Sequence, residues 1–152
     1  MIAPVYRLAL AVLVLDQLSK GWALHALHPA QTTPLLPGLL QLRLVFNTGA
    51  AFSLFTGNAL LLGLVSAAVA VGLVLWIQTA GPLRRWQAIG LGLVLGGALG
   101  NGLDRWRYGQ VVDLLELVPV SFPVFNLADV AINLAVAALV IDALLSHGRP
   151  TR

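Results

Sequence analysis

The run Val111–Val136, VVDLLELVPVSFPVFNLADVAINLAV, decides how this chain is read. It is as apolar as a membrane core, yet it holds Asp113, Glu116 and Asp129. An ionised carboxylate among apolar neighbours is costly, so each acid needs a partner, a solvated position or a function.

Outward from that run the composition agrees. Of 152 residues, 59% are apolar and 10% charged, against roughly 25% charged in soluble domains. The chain is therefore a membrane protein, and its length suits one domain, 1–152. Spans need about 20 apolar residues, and four segments approach that: about 5–26, 59–77, 86–103 and 128–145. The expected fold is an all-α membrane protein of four transmembrane helices with both termini on one side. Trp22, Trp76, Trp86 and Trp106 fall near the span ends, where amphipathic rings prefer the interface. Residues 1–27 read as a retained span, because Asp16 and Lys20 interrupt the apolar region of a cleavable leader.

Arg7, Arg84, Arg85, Arg149 and Arg152 lie on the terminal side, and Lys20, Arg43, Arg105 and Arg107 on the other. The positive-inside rule and the short basic turn at 80–85 place the termini inside. The opposite connection, about 28–58, is too long for an idle loop. Its LLQLRLVF alternates apolar and polar residues, which is strand periodicity. NTGAAFSLF then supplies a turn and a second short extended run. A small β element on the extracytoplasmic surface is expected there. In the third span Gly92, Gly96 and Gly100 recur every fourth residue, with Gly97 alongside, a pattern for close helix packing.

Several functions fall away. There is no cysteine, so thiol chemistry and Cys-ligated metals are excluded. His25 and His28 share a helical face but lack a third ligand, and no metal or other cofactor is expected. The nine Lys and Arg form no basic cluster, so nucleic acid is not a partner.

The polar residues converge instead. Five of the six acids fall toward the extracytoplasmic leaflet, and Asp142 alone lies near the cytoplasmic end. Gly97, Asn101, Asp104 and Arg105 share one helical face; Asn126, Asp129 and Asn133 share another; Asp16, Ser19 and Lys20 a third. Three polar faces at one depth imply a hydrated pocket between helices. Asp16 with Lys20 reads most simply as an i, i+4 ion pair, Asp104 as a cap on its span, and Asn101 and Asn126 as interhelical hydrogen-bonding groups. Glu116 suits a solvated loop. Asp113 and Asp129 resist such accounts, since neither has a basic residue within one helical turn. Two adjacent carboxyls share a proton. One can activate water while the other polarises a carbonyl and protonates the leaving amine. A proton-coupled transporter is the alternative, but a relay needs acids spread through the bilayer depth, and here they crowd one side.

DQLSK (16–20), NTGAAFS (47–53), GGALGNGLDRWRYGQVVD (96–113) and FNLADVAI (125–132) together resemble the lipoprotein signal peptidases, also called signal peptidase II. That resemblance implies an aspartyl endopeptidase of the bacterial inner membrane, its active site toward the extracytoplasmic face. It would cleave diacylglyceryl-modified prolipoproteins before the lipidated cysteine, among membrane lipids; a monomer is the expected state. It also implies catalysis by Asp113 and Asp129, supported by Asp16, Asn47, Asn101, Asp104, Arg105 and Asn126; Lys20 and Gly97, on the same polar faces, complete the expected site. Leu114 departs from the pattern, since family members often carry an aromatic residue there.

Overall fold

The computed structural model describes residues 2–49 and 57–147. Four helices and three strands follow in the order α1 (Ala3–Ala26), β1 (Thr32–Leu36), β2 (Leu40–Asn47), α2 (Ala59–Thr79), α3 (Arg85–Tyr108), β3 (Val111–Leu117) and α4 (Leu127–His147). Two of them, Ala59–Thr79 and Leu127–Ser146, are long and apolar enough to cross a membrane. Helices α1 and α3 carry the charged and glycine-rich faces that lower their apolar average, and those faces point inward: Asp16, Lys20 and Asp104 are buried. The outside is apolar, with Leu10, Leu18, Leu64, Leu75, Leu134 and Leu144 each more than half exposed.

Helix α3 is the centre, packed on α1, α2 and α4. Its glycines make that possible. A Cβ on Gly96 would sit 2.6 Å from the Ala9 carbonyl oxygen of α1, and one on Gly97 would sit 2.7 Å from the Ala128 carbonyl oxygen of α4. Two adjoining faces of α3 thus meet two backbones at contact distance, one on α1 and one on α4. At the opposite end of the bundle, Asp142 is buried rather than solvated and takes a two-pronged ion pair from Arg84.

The β element is a three-stranded antiparallel sheet in the order β1-β2-β3. The LLQLRLVF alternation does form a strand, β2. Its second neighbour, however, comes from residues 111–117, around Glu116, where a solvated loop is expected. That segment escapes a period-2 search because Val111, Val112, Asp113 and Leu114 are all buried, and a strand covered on both faces reads as a continuous apolar run. The second extended run expected after Asn47 lies on 50–56, outside the described residues. Glu116 is likewise not in a solvated loop: it sits on β3, bonded by Gln41 at 2.6 Å and Arg43 at 2.8 Å.

Helix α3 runs past the expected end at 103 and stops at Gly109, whose left-handed φ of 69° closes the last turn with an N–H bond to the Arg105 carbonyl oxygen. Two residues later β3 begins. Val112 and Leu114 pack with Ala23, Leu42 and Leu44, and strand alternation turns Asp113 to the opposite face. Leu114 thus fills a small apolar cluster away from the acid.

Candidate active site

Two helices, two strands and one helix start bring the acids together. Asn126 immediately precedes α4. Its Oδ1 accepts from the Asp129 N–H at 3.0 Å, while Asp129 Oδ2 accepts from the Asn126 N–H at 3.2 Å. This reciprocal pair satisfies orphan donors of the first turn, as a capping box does. It also fixes the amide of Asn126, whose Nδ2 then donates to Asp113 Oδ1 at 2.7 Å. Asn126 therefore touches both carboxylates, and Asp113 and Asp129 line the same cavity of about 820 Å³.

Each acid has a second amide donor. Asn47 ends β2, paired with Val111, so it is a diagonal same-face neighbour of Asp113. Its Nδ2 donates to Asp113 Oδ2 at 3.1 Å, and its Oδ1 accepts from Gly49 N–H, which sets the amide's orientation. Asn101 on α3 donates through Nδ2 to Asp129 Oδ1 at 2.8 Å. Burial, and then the charge of Asp129, push the Asp113 carboxyl up to about 7; the Asn126 and Asn47 bonds and Lys20 pull the other way.

Behind this pair lies a buried ionic cluster. Lys20 Nζ meets Asp16 Oδ2 at 2.8 Å, Asp104 Oδ2 at 3.0 Å and Asn101 Oδ1 at 3.0 Å. Those three acceptors use all three donors of an ammonium. Asp16 Oδ1 accepts from Ala128 N–H at 3.0 Å, holding the start of α4, and Asp104 Oδ2 accepts from Val112 N–H at 3.1 Å, holding β3. The expected Asp16–Lys20 pair is present, but Asp104 does not cap its helix: it joins α1, α3 and β3. Arg105 donates to the Asn101 and Gly49 carbonyl oxygens at 3.3 and 3.0 Å, on the cavity wall.

All of the singled-out residues except Gly97 hydrogen bond within this network; Gly97 contributes by letting α4 approach. Two participants were not singled out. Gln17 donates to Asp104 Oδ1 at 2.9 Å and to the Gly100 carbonyl oxygen at 3.2 Å, and accepts from Arg107 at 3.1 Å. Gly100 leaves room for Asp16, whose Oδ2 would be 2.5 Å from a Cβ there. Gln17 is adjacent to Asp16 rather than one turn away, so helical spacing does not group it. Gly100 was visible within the every-fourth-residue glycine pattern. Among the described residues no group of three or more His, Cys, Asp or Glu is placed to hold a metal. His25 instead bonds the Gly21 carbonyl oxygen at 2.7 Å.

Paired carboxyls on the wall of a cavity, inside a bundle with an apolar exterior, define a membrane enzyme with an acidic site. Comparison with known proteins narrows this. A family model described as "Signal peptidase (SPase) II" matches residues 8–145. A "Lipoprotein signal peptidase" of Synechococcus sp. (strain RCC307) is 58% identical, covering 90% of this chain and 91% of its own. Another, of Parasynechococcus marenigrum (strain WH8102), is 49% identical, covering 92% and 88%. A solved bacterial membrane enzyme has a TM-score of 0.91 at 24% identity, covering 100% of this chain and 95% of that one, which shows the shared fold. A second has a TM-score of 0.85 at 25% identity, covering 95% and 94%. The chain belongs to the signal peptidase II family.

Proposed function

We propose that this aspartic peptidase removes the signal peptide from diacylglyceryl-modified prolipoproteins, cleaving before the lipidated cysteine with Asp113 and Asp129 as its catalytic pair. The observation that carries the reading is Asn126 bonded to both acids on the wall of one cavity. Asp113, with its raised affinity for a proton, acts as the acid, and Asp129 as the base, though the pair titrates jointly. Asp129 takes a proton from water as the water oxygen attacks the scissile carbonyl, and Asp113 hydrogen bonds the carbonyl oxygen. When the C–N bond breaks, the amine nitrogen takes the proton that Asp129 drew from water, the Asp113 proton stays with or returns from the carbonyl oxygen, and the pair is back in its starting state. Asn47 and Asn101 hold the two carboxyls in place, while Asp16, Lys20 and Asp104 brace α1, α3, β3 and α4. Arg105 supplies spare N–H donors to substrate carbonyls, and Gly97 and Asn126 set the distance between α3 and α4.

One membrane-embedded domain with four spans and the termini inside accommodates this chemistry. The exposed leucines on α1, α2 and α4 suit lipid, and polar groups face inward, as lipid demands. Lys20 is buried and Arg105 serves the site, which leaves Arg43 and Arg107 against five terminal-side arginines and strengthens the charge bias. The acids then lie toward the extracytoplasmic face of the bacterial inner membrane. Helices α2 and α4 both line the cavity, but each packs principally on α3, so the gap between them is a path by which acyl chains reach the site from the bilayer. The enzyme works as a monomer.

Cleavage of a synthetic diacylglyceryl precursor by wild type, Asp113→Asn and Asp129→Asn in lipid tests the reading. Both variants should fold and lose turnover, because Asn is nearly isosteric with Asp but cannot exchange the proton. Normal cleavage by either one rejects the pair.

A further inference from the structure

The acids do not account for every polar group in the cavity. Inward from Asp129 the wall is apolar, with Val69 on α2, Val94 and Ala98 on α3, and Val130 and Leu134 on α4. Asn133 interrupts it. Four residues beyond Asp129, it lies one turn, about 6 Å, deeper along α4, lines the cavity and is exposed there. Its Nδ2 donates to the Asp129 carbonyl oxygen at 2.8 Å, which uses one of two N–H bonds. Among the described residues its second N–H and its Oδ1 have no partner. An amide left unpaired in apolar surroundings costs on the order of 1–3 kcal/mol.

Other polar groups on the wall do not duplicate it. Ser66 on α2 gives its hydroxyl proton to the Leu62 carbonyl oxygen at 3.0 Å and so offers only an acceptor. Helices α3 and α4 run antiparallel, since Gly97 meets Ala128 and Ile132 while Gly90 meets Ala135 and Leu139. Arg105, one turn past Asn101 on α3, therefore lies on the outer side of the acids and Asn133 on the inner side.

We propose that Asn133 is a substrate-binding residue that donates its second N–H to a carbonyl oxygen of the lipidated substrate, about one helical turn deeper than the scissile bond. The inference rests on the reading of the cavity as the peptidase site and adds a contact to it. Two carbonyls reach that depth. One is a diacylglyceryl ester, joined to the cysteine Cα by about six bonds of about 1.5 Å, a similar length. The other is a backbone carbonyl near the end of the signal peptide.

The test compares wild type with Asn133→Leu, which keeps the size and suits lipid, on two precursors. One carries the diacylglyceryl group and the other a dialkylglyceryl ether that lacks both ester carbonyls. Loss of one hydrogen bond should raise KM for the diester roughly two- to tenfold with kcat nearly unchanged. If the ester is the acceptor, the ether precursor shows the same KM with both enzymes; if the backbone is the acceptor, KM rises on both precursors alike. An unchanged KM for the diester, or a fall in kcat alone, overturns the proposal. Cleavage by Asp113→Asn run alongside overturns the reading of the site, and this inference with it.

Discussion

Asn126 and Asp129 are locked to each other in both directions, side chain to backbone, at 3.0 and 3.2 Å. The bond that starts α4 is thus also the bond that orients an acid of the site. It leaves the Asn126 amide nitrogen no choice but to face Asp113. Replacing Asn126 by Ala should remove a helix cap, at about 1 kcal/mol, and the buried Nδ2 donor to Asp113, while the backbone N–H that serves Asp129 stays. Asn126→Ser should recover the cap but not the donor to Asp113. Thermal unfolding should therefore rank Ser above Ala, while cleavage stays at least tenfold below wild type in both. Recovery of cleavage by Ser would separate Asn126 from the acid pair.

The raised Asp113 gives a pH dependence with a defined sign. Its folded value of about 7 lies above its ordinary 3.8, so the folded state holds the proton that the unfolded state releases. That contribution to stability is complete below about pH 4 and is lost as pH rises through about 7, roughly 4 kcal/mol in all. Asp113→Asn cannot titrate, so the stability difference between wild type and this variant should shift against wild type across the same window. Cleavage should also fall above about pH 7, as the proton leaves. Asn47→Ala removes a donor that favours the ionised form, so its basic limb should move to higher pH while its rate drops roughly tenfold, the cost of one charge-assisted bond. A limb at unchanged pH would detach Asn47 from Asp113.

Lys20 and Arg43 each sit in an ion pair, but in opposite settings. Lys20 is 2% exposed and has three acceptors, whereas the Arg43 side chain is 47% exposed beside Glu116. Lys20→Met would leave Asp16 and Asp104 buried without a counter-charge, which costs about 3–5 kcal/mol. Arg43→Met should cost about 0–1 kcal/mol. Denaturation of the two variants in the same detergent compares them directly. Equal losses would mean that the cluster behind the acids is solvated.

How much of this was legible in the sequence depended on range. Asn101 with Asp104, and Asn126 with Asp129, stood out because helical spacing groups residues three or four apart. Asp113 stood out for a different reason, the lack of any local cation. What spacing cannot show is contact between elements. Asp16–Lys20 was visible as an i, i+4 pair, but the third member, Asp104, is on another helix. The same limit hid β3: its backbone partner β2 lies more than sixty residues earlier, and burial of both its faces erased the alternation that marks a strand. Gln17, within DQLSK, escapes helical spacing because three of its partners, Gly100, Asp104 and Arg107, are on α3 and the fourth, Asp16, is its chain neighbour.

The glycines of α3 and α2 give the last prediction, because they differ in surroundings rather than in kind. A Cβ at Gly96 would come within 2.6 Å of the Ala9 backbone oxygen and 2.7 Å of Val12 Cβ, while at Gly72 it would meet nothing within 4 Å. Backbone cannot rotate aside, so Gly96→Ala must push α1 from α3 and cost about 1–3 kcal/mol, as overpacking does. Since α1 carries Lys20 and Asp16, the same displacement should disturb Asn101 and lower the cleavage rate. Gly72→Ala only reduces the freedom of a helical position and should stabilise by about 0.5–1 kcal/mol with cleavage intact. Paired unfolding and cleavage measurements decide it: if Gly96→Ala were as stable and as active as Gly72→Ala, close approach of α1 and α3 would not be what holds the ionic cluster under the acids.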